Sequence, residues 1–284
     1  MKNGWQRVKK DNPCPICGKP DYCMIQEDGS ASICARISEG SIKKVGTQGA
    51  GWLHKNVRDA NPNKYHQKPV KKFKPEPIPN WHKLVKQCQN NLPDLTPLAK
   101  ELGVSVQSVA RSQIGYFRKC HTFPIRDGFG RFIGMRMRAK NGSKFSIPGS
   151  KNALYWPLGV MAKSKNILFL PEGGTDPMAM LDLGFDAIGR PNNRAGFTYL
   201  RDMLEGNDRK VVLVADKDEA KFRPDGTKYF PGIEGALELA KEIKKFTKHI
   251  RVIKPPHHKD MRKWYQDGAT KEMVMLLVEN ARFL

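Results

Sequence analysis

The sequence predicts an α/β chain: a parallel sheet covered by helices in its second half, preceded by a basic antiparallel region and a small cysteine-rich ribbon. Three observations carry this. Short apolar runs, Ile167 to Leu170 and Val211 to Ala215, alternate with helical periodicity between about 164 and 255, as buried parallel strands and their crossover helices do. Between about 121 and 156 apolar residues recur at every second position instead, around Phe123, Ile125, Ile133, Met135 and Met137, the period of hairpins. Four of the six cysteines fall between positions 14 and 34.

A chain of 284 residues has room for one large or two to three small domains. Lys and Arg outnumber Asp and Glu by 50 to 28, a net charge of +22. That excess calls for a polyanionic partner, most simply nucleic acid. No apolar run approaches the roughly 18 residues that span a bilayer, so no membrane is expected. The stretch from Met1 to Lys10 is polar and basic, without the apolar core of a secretory signal. A cytoplasmic location is the expectation, and cysteines there serve metals or remain free thiols.

The first element, about residues 11 to 54, centres on Cys14, Pro15, Ile16, Cys17, Gly18, a knuckle in which two thiolates two residues apart grip one ion. Cys23 and Cys34 are separated by a hairpin turning at Glu27, Asp28, Gly29, and all four thiolates can converge on one tetrahedral zinc. His54, after Gly51, Trp52, Leu53, is the alternative to Cys23 as fourth ligand. Such a closed site is structural, because no position is left open for chemistry. Residues 55 to 80 hold seven basic residues and five prolines and read as an extended linker. Leu95, Leu98, Ala99 and Leu102 recur at helical spacing, Gly103 supplies a stop, and Ser105 caps a second helix with Val106, Val109 and Ala110. This is either a helix-turn-helix or a helical pair packed on a neighbour. Cys88 and Cys120 read as partly buried free thiols.

The hairpin region that follows turns at Asp127 to Gly130 and again at Asn141, Gly142, and Arg136, Arg138, Lys140, Lys144 and Lys151 decorate it. From 164 onward come a strand ending at Leu170, a helix from Asp176 to Leu183, a short strand at Ala187 and Ile188, and a helix from Phe197 to Leu204. The strand Val211 to Ala215, a helix from Gly232 to Phe246 and a strand at Ile250 to Ile253 complete the alternation. A last helix covers about Lys271 to Leu284.

Acidic residues gather at the ends of the apolar runs. Glu172, Gly173, Gly174, Thr175, Asp176 follows the first, and Asp216, Lys217, Asp218 follows the second. Open α/β sheets bind ligands at these carboxyl ends. The glycines allow close approach, Asp176 lies one helical turn beyond Glu172, and Asp216 and Asp218 share one side of an extended segment. Asp260 follows the next strand as a fifth member. Clustered carboxylates in so basic a chain call for a cation, and an all-oxygen set suits Mg²⁺ or Mn²⁺ facing a phosphate substrate. Helix capping by Asp176 and Asp260 is the competing reading.

The glutamate-glycine motif after one strand, the DxD after another and the later Lys259, Asp260 resemble the TOPRIM domain of DnaG-type primases, topoisomerases and some nucleases. Upstream, Phe123 to Asp127, Ile133 to Arg136 and Gly149 to Asn152 look like the basic amino-terminal subdomain of a primase RNA-polymerase core. The cysteine unit is similar to the zinc-binding domain of phage and mobile-element primases. The resemblance implies a zinc-binding ribbon over 1–54, a basic Pro-rich linker over 55–80, a basic subdomain over 81–163, a TOPRIM domain over 164–262 and a carboxy-terminal helix over 263–284. It implies catalytic roles for Glu172, Asp216 and Asp218, and metal binding by these with Asp176 and Asp260. Arg136, Arg138, Lys144, Lys151 and Lys259 would contact nucleic acid or nucleotide.

The activity so implied is that of a DNA primase: short RNA primers made from ribonucleoside triphosphates on single-stranded DNA by metal-dependent nucleotidyl transfer. No GxxxxGK[ST] phosphate loop occurs, so a helicase would be a separate chain. The alternatives are a TOPRIM-type nuclease and a non-catalytic zinc-ribbon DNA-binding protein. Two departures from the family pattern stand out: Arg190, Pro191, Asn192 replaces a small-residue turn, and residues 221 to 231 form an insertion after the DxD.

Overall fold

The structure is a computed structural model that describes residues 4–45, 51–56, 78–193, 195–206, 209–247 and 249–282. The chain divides into two compact units, Met1–Pro75 and Glu76–Leu284. The linker expected over 55–80 falls largely on residues 57–77, outside the described residues.

The first unit is an antiparallel sheet of five short strands, β1 (Trp5–Arg7), β2 (Met24–Gln26), β3 (Ala31–Cys34), β4 (Lys43–Val45) and β5 (Gly51–Lys55), in the order β1-β2-β3-β5-β4. Its small core consists of Val8 and the thiols of Cys14, Cys23 and Cys34. So little apolar burial does not stabilise a domain of this size without a staple.

The second unit opens with three helices, α1 (Trp81–Asn90), α2 (Thr96–Leu102) and α3 (Val106–Arg111). Gly103 adopts the left-handed conformation (φ 63°) that ends α2, and the Ser105 hydroxyl accepts the Ser108 N–H to start α3, as the sequence predicts. Of the two readings of this pair, packing against a neighbour is observed. Leu98, Ala99, Leu102 and Val109 are buried with Phe123 and Met178, and the Asp182 carboxylate accepts bonds from Ser105 and Ser108. A four-stranded antiparallel sheet follows, ordered β6 (Gly115–Phe117), β7 (Cys120–Arg126), β8 (Phe132–Ala139) and β9 (Lys144–Ser146). On β8, Met135 and Met137 are buried while Arg136 and Arg138 share the opposite face, the alternation expected of a half-buried strand.

The remaining elements are β10 (Leu168–Leu170), α4 (Asp176–Asp182), β11 (Asp186–Ala187), α5 (Phe197–Leu204), β12 (Val211–Val214), the hairpin β13 (Lys221–Phe222) and β14 (Lys228–Tyr229), α6 (Pro231–Ile243), β15 (Ile250–Ile253), α7 (Met261–Gln266) and α8 (Lys271–Asn280). Strands β11-β10-β12-β15 form an all-parallel sheet in that order. Both faces are covered. Leu168, Leu170, Val211 and Leu213 pack with Leu200, Leu239 and Ile243 on one side; Phe169, Val212 and Val214 pack with Met180, Trp264, Val274 and Val278 on the other. Each such side chain removed from water contributes about 1.5–3 kcal/mol, which explains why these strands are apolar at every position. Helix α7 runs across the division expected at 262/263. No described helix is long and apolar enough to cross a membrane.

Candidate active site

The acidic residues stand where the parallel strands end. Glu172 follows β10 by two residues and forms a parallel bridge with Arg190. The Gly173 N–H donates to the Arg190 carbonyl at 2.7 Å, and the Arg190 N–H to that of Pro171 at 2.8 Å. The crossing is tight: a Cβ on Gly189 would lie 1.9 Å from the Gly173 carbonyl oxygen, so only glycine fits there. Asp216 follows β12, and the Lys217 N–H beside it donates to the Lys259 carbonyl at 2.7 Å. This bond ties the DxD segment to the chain that leads into Asp260.

Asp216 is electrostatically the hub. Its pKa is raised from 3.8 to about 7, first by burial and then by Glu172, Asp260 and Asp218, while Arg190 acts in the other direction. Glu172 is also raised, mainly by burial, with a contribution from Asp218; Arg190, Lys144 and Lys259 oppose it. Asp176 is raised well above the ordinary carboxylate range by burial, Asp260 and Asp216. The five carboxylates therefore form one mutually repelling set. This is the electrostatic condition a divalent cation relieves.

Capping and clustering are both real for two members. Asp176 accepts the Met261 N–H at 3.0 Å through Oδ2, and Asp260 accepts the Lys263 N–H at 2.8 Å through Oδ1, so both secure the start of α7. Among the described residues, the cysteine thiols are the single His/Cys/Asp/Glu group of three or more whose ligand atoms all lie within 4.8 Å of one another. The carboxylate oxygens are spread more widely.

Arg190 was legible only as a departure from a small-residue turn. It is 0% exposed. Its Nε donates to the Leu170 carbonyl at 2.9 Å and one Nη to that of Val214 at 2.8 Å. The other Nη reaches the Asn192 and Asn193 carbonyls at 3.3 and 2.9 Å. A planar fork of donors thus ties the last residues of β10 and β12 together beneath Glu172 and Asp216. Burial lowers its pKa to about 10, which leaves it charged at neutral pH.

The basic residues expected to meet phosphates divide. Lys144 and Lys259 act on Glu172, and Arg136 acts on Tyr155, whose ring lies against Gly174. Arg136 also donates to the Ser146 hydroxyl at 3.2 Å. Arg138 turns instead to Glu101 at 3.4 Å, and Lys151 is exposed.

In the first unit the sulfurs of Cys14, Cys17, Cys23 and Cys34 converge. Backbone N–H groups of Ala35 (to Cys23, 3.4 Å), Arg36 (to Cys34, 3.4 Å) and Ile37 (to Cys34, 3.3 Å) point at them, the outer-shell bonding a thiolate metal site uses. Burial raises the Cys14 and Cys23 thiols, so ionising them requires a cation, and four sulfurs at this spacing fit zinc. His54 stands apart, buried in β5 with its Nε2 at 2.9 Å from the Ile37 carbonyl.

No protein-family profile matches the sequence, and no curated protein sequence matches it. Solved structures do. A DnaG primase catalytic domain bound to single-stranded DNA is 17% identical, with a TM-score of 0.57 over 72% of this chain and 80% of that one. The E. coli primase catalytic core is 17% identical, with a TM-score of 0.56 over 72% and 80%. The Aquifex aeolicus primase, zinc-binding and RNA polymerase domains, is 14% identical, with a TM-score of 0.57 over 72% and 60%. The two-sided parallel sheet, the antiparallel sheet before it and these matches lead to one conclusion: the chain has the fold of DnaG-type primases.

Proposed function

We propose that this chain is a DNA primase that makes short RNA primers on single-stranded DNA by metal-dependent nucleotidyl transfer. The observation that carries the reading is the set of five carboxylates at the carboxyl ends of a parallel sheet in a chain of primase fold. In this reading the parallel sheet and its helices make a TOPRIM domain over 164–262, preceded by the linker over 55–80 and the basic subdomain over 81–163, and followed over 263–284 by the end of α7 and by α8. In this reading Glu172, Asp216 and Asp218 hold Mg²⁺ or Mn²⁺, with Asp176 and Asp260 behind them. When bound, the ions neutralise the reacting phosphates and lower the pKa of the attacking 3′-hydroxyl.

The chain's own residues do the rest. Lys144, Lys259 and Arg136 draw and orient the triphosphate and the template backbone, with Arg138 on the same strand as Arg136 and Lys151 on the segment that follows β9. Glu172, whose proton affinity is raised, is the candidate acid or base nearest the glycine turn. Arg190 keeps the two carboxylate-bearing strand ends at fixed separation, and such fixed charge placement is a large part of phosphoryl-transfer catalysis. Cys14, Cys17, Cys23 and Cys34 hold a structural zinc that folds the first unit. Ribonucleoside triphosphates are the substrates, and a replicative helicase is the partner.

The test is incubation with single-stranded DNA, labelled ribonucleotides and Mg²⁺ or Mn²⁺. New short oligoribonucleotides support the reading, and their loss in Asp216→Asn and Asp218→Asn supports the site. Shortened DNA instead identifies a nuclease, and binding without either reaction a DNA-binding protein.

A further inference from the structure

The insertion after the DxD is an ordered hairpin with one face left open. Strands β13 and β14 pair antiparallel, with Phe222 opposite Lys228 and Lys221 opposite Tyr229. The turn is built: Asp225 accepts the Thr227 N–H at 2.9 Å, and Gly226 supplies the positive φ of 83°. Because side chains alternate along a strand and opposite residues share a face, the ribbon has two distinct sides. On one, Arg223 lies over the Tyr229 ring at 4.7 Å and pairs with Glu234 at 2.5 Å. The other presents Phe222, Lys228 and Phe230. Phe222 is 71% exposed and Phe230 44%, and the Lys228 ammonium lies 5.5 Å from the Phe230 ring.

The base of this ribbon is fixed to the acidic site. A Cβ on Gly232 would lie 2.2 Å from the Asp216 carbonyl oxygen and 3.2 Å from Asp218 Oδ2. The Asn193 side-chain amide holds the Pro231 carbonyl at 2.7 Å. The hairpin therefore rises from the rim of the carboxylate cluster and does not hang from a free loop.

Two exposed aromatic rings on one face, with an ammonium beside the Phe230 ring and Phe222 opposite Lys228 in register, match the chemistry of unpaired nucleotides: bases stack on the rings and a phosphate meets the ammonium. We infer that the Phe222–Lys228–Phe230 face is a stacking platform for single-stranded nucleic acid beside the acidic site. The inference rests on the primase reading for its choice of partner. The chain's charge of +22 favours that partner over an apolar protein surface.

The test uses the full chain and fluorescently labelled oligo-dT, with a blunt duplex of equal length as control. The Phe222→Ala/Phe230→Ala double variant is expected to bind oligo-dT about tenfold or more weakly, while duplex affinity changes less than about twofold, because paired bases offer no free face to stack. Phe222→Tyr keeps a ring at that position and should retain the affinity, and Lys228→Gln should lower the log–log salt slope by about one. Unchanged oligo-dT affinity in the double variant, or an equal loss for duplex, overturns the inference and leaves this face to another partner. Primer synthesis is scored separately. A wild-type protein that makes no primers, with a double variant that loses oligo-dT binding, refutes the primase reading and upholds the platform; active wild type with unaltered binding in the variant does the reverse.

Discussion

Removing one charge from the acidic cluster should stabilise the protein at alkaline pH, and Asp216→Asn is the change that tests it. In the absence of a divalent cation, burial and then Glu172, Asp260 and Asp218 hold the Asp216 pKa at about 7 in the folded chain, against 3.8 ordinarily. Below pH 4 the group is protonated folded or unfolded and contributes nothing. Between pH 4 and 7 the unfolded chain releases the proton and the folded chain keeps it, so stability falls as pH rises. Above pH 7 the whole penalty is present, with a ceiling of roughly 4 kcal/mol at about 1.4 kcal/mol per pH unit. Asparagine keeps the shape and removes the charge. Urea unfolding in buffer free of Mg²⁺ and Mn²⁺, with zinc retained, should find Asp216→Asn more stable than wild type by up to ~4 kcal/mol at pH 8 and by only ~1 kcal/mol at pH 4.5. Added Mn²⁺ should close the gap at pH 8 by stabilising the wild type. A variant no more stable than wild type at pH 8, or a gap equal at both pH values, would refute the electrostatic account of the cluster.

Further outcomes follow from the same geometry. Arg190→Met leaves four carbonyl oxygens without their donor and two carboxylates without a nearby cation, so denaturation should show a loss of ~3–5 kcal/mol. Arg190→Lys, which restores the charge and not the fork, should recover only part of it. Cys23→Ala should lose the zinc measured by elemental analysis and unfold the first unit, while His54→Ala keeps one equivalent; equal loss in both would reverse the ligand assignment. Single-stranded DNA affinity should fall steeply with salt, and Lys144→Gln/Lys259→Gln should reduce the log–log slope by about 1–2; an unchanged slope would remove these lysines from the phosphate path.

Elements whose burial is total or strictly alternating can be read from the sequence. Val211 to Val214 is apolar throughout because both sides of β12 are covered, and Met135 and Met137 alternate with Arg136 and Arg138 because one face of β8 is buried. Gly103 and Ser105 mark helix boundaries because their conformational and hydrogen-bonding preferences are local. Relations between distant residues are not local. Arg138 and Lys144 look equivalent in sequence, yet one faces Glu101 and the other acts on Glu172. His54 and Cys23 are both chemically fit to ligate zinc, and only the packing of β5 carries the imidazole away from the sulfurs.

The sequence by itself determined the class of the fold and the four converging thiols, and it offered the five acidic positions as candidates, because periodicity, strand-end chemistry and ligand type are written residue by residue. The tertiary structure alone decided that Asp176 and Asp260 cap α7 while remaining in the cluster, that Arg190 is buried across two strand ends, and that the insertion stands as a ribbon with an open aromatic face. Each of these depends on where a second, distant segment stops, and through-space charge, burial and sheet register are fixed only when the strands have found their neighbours.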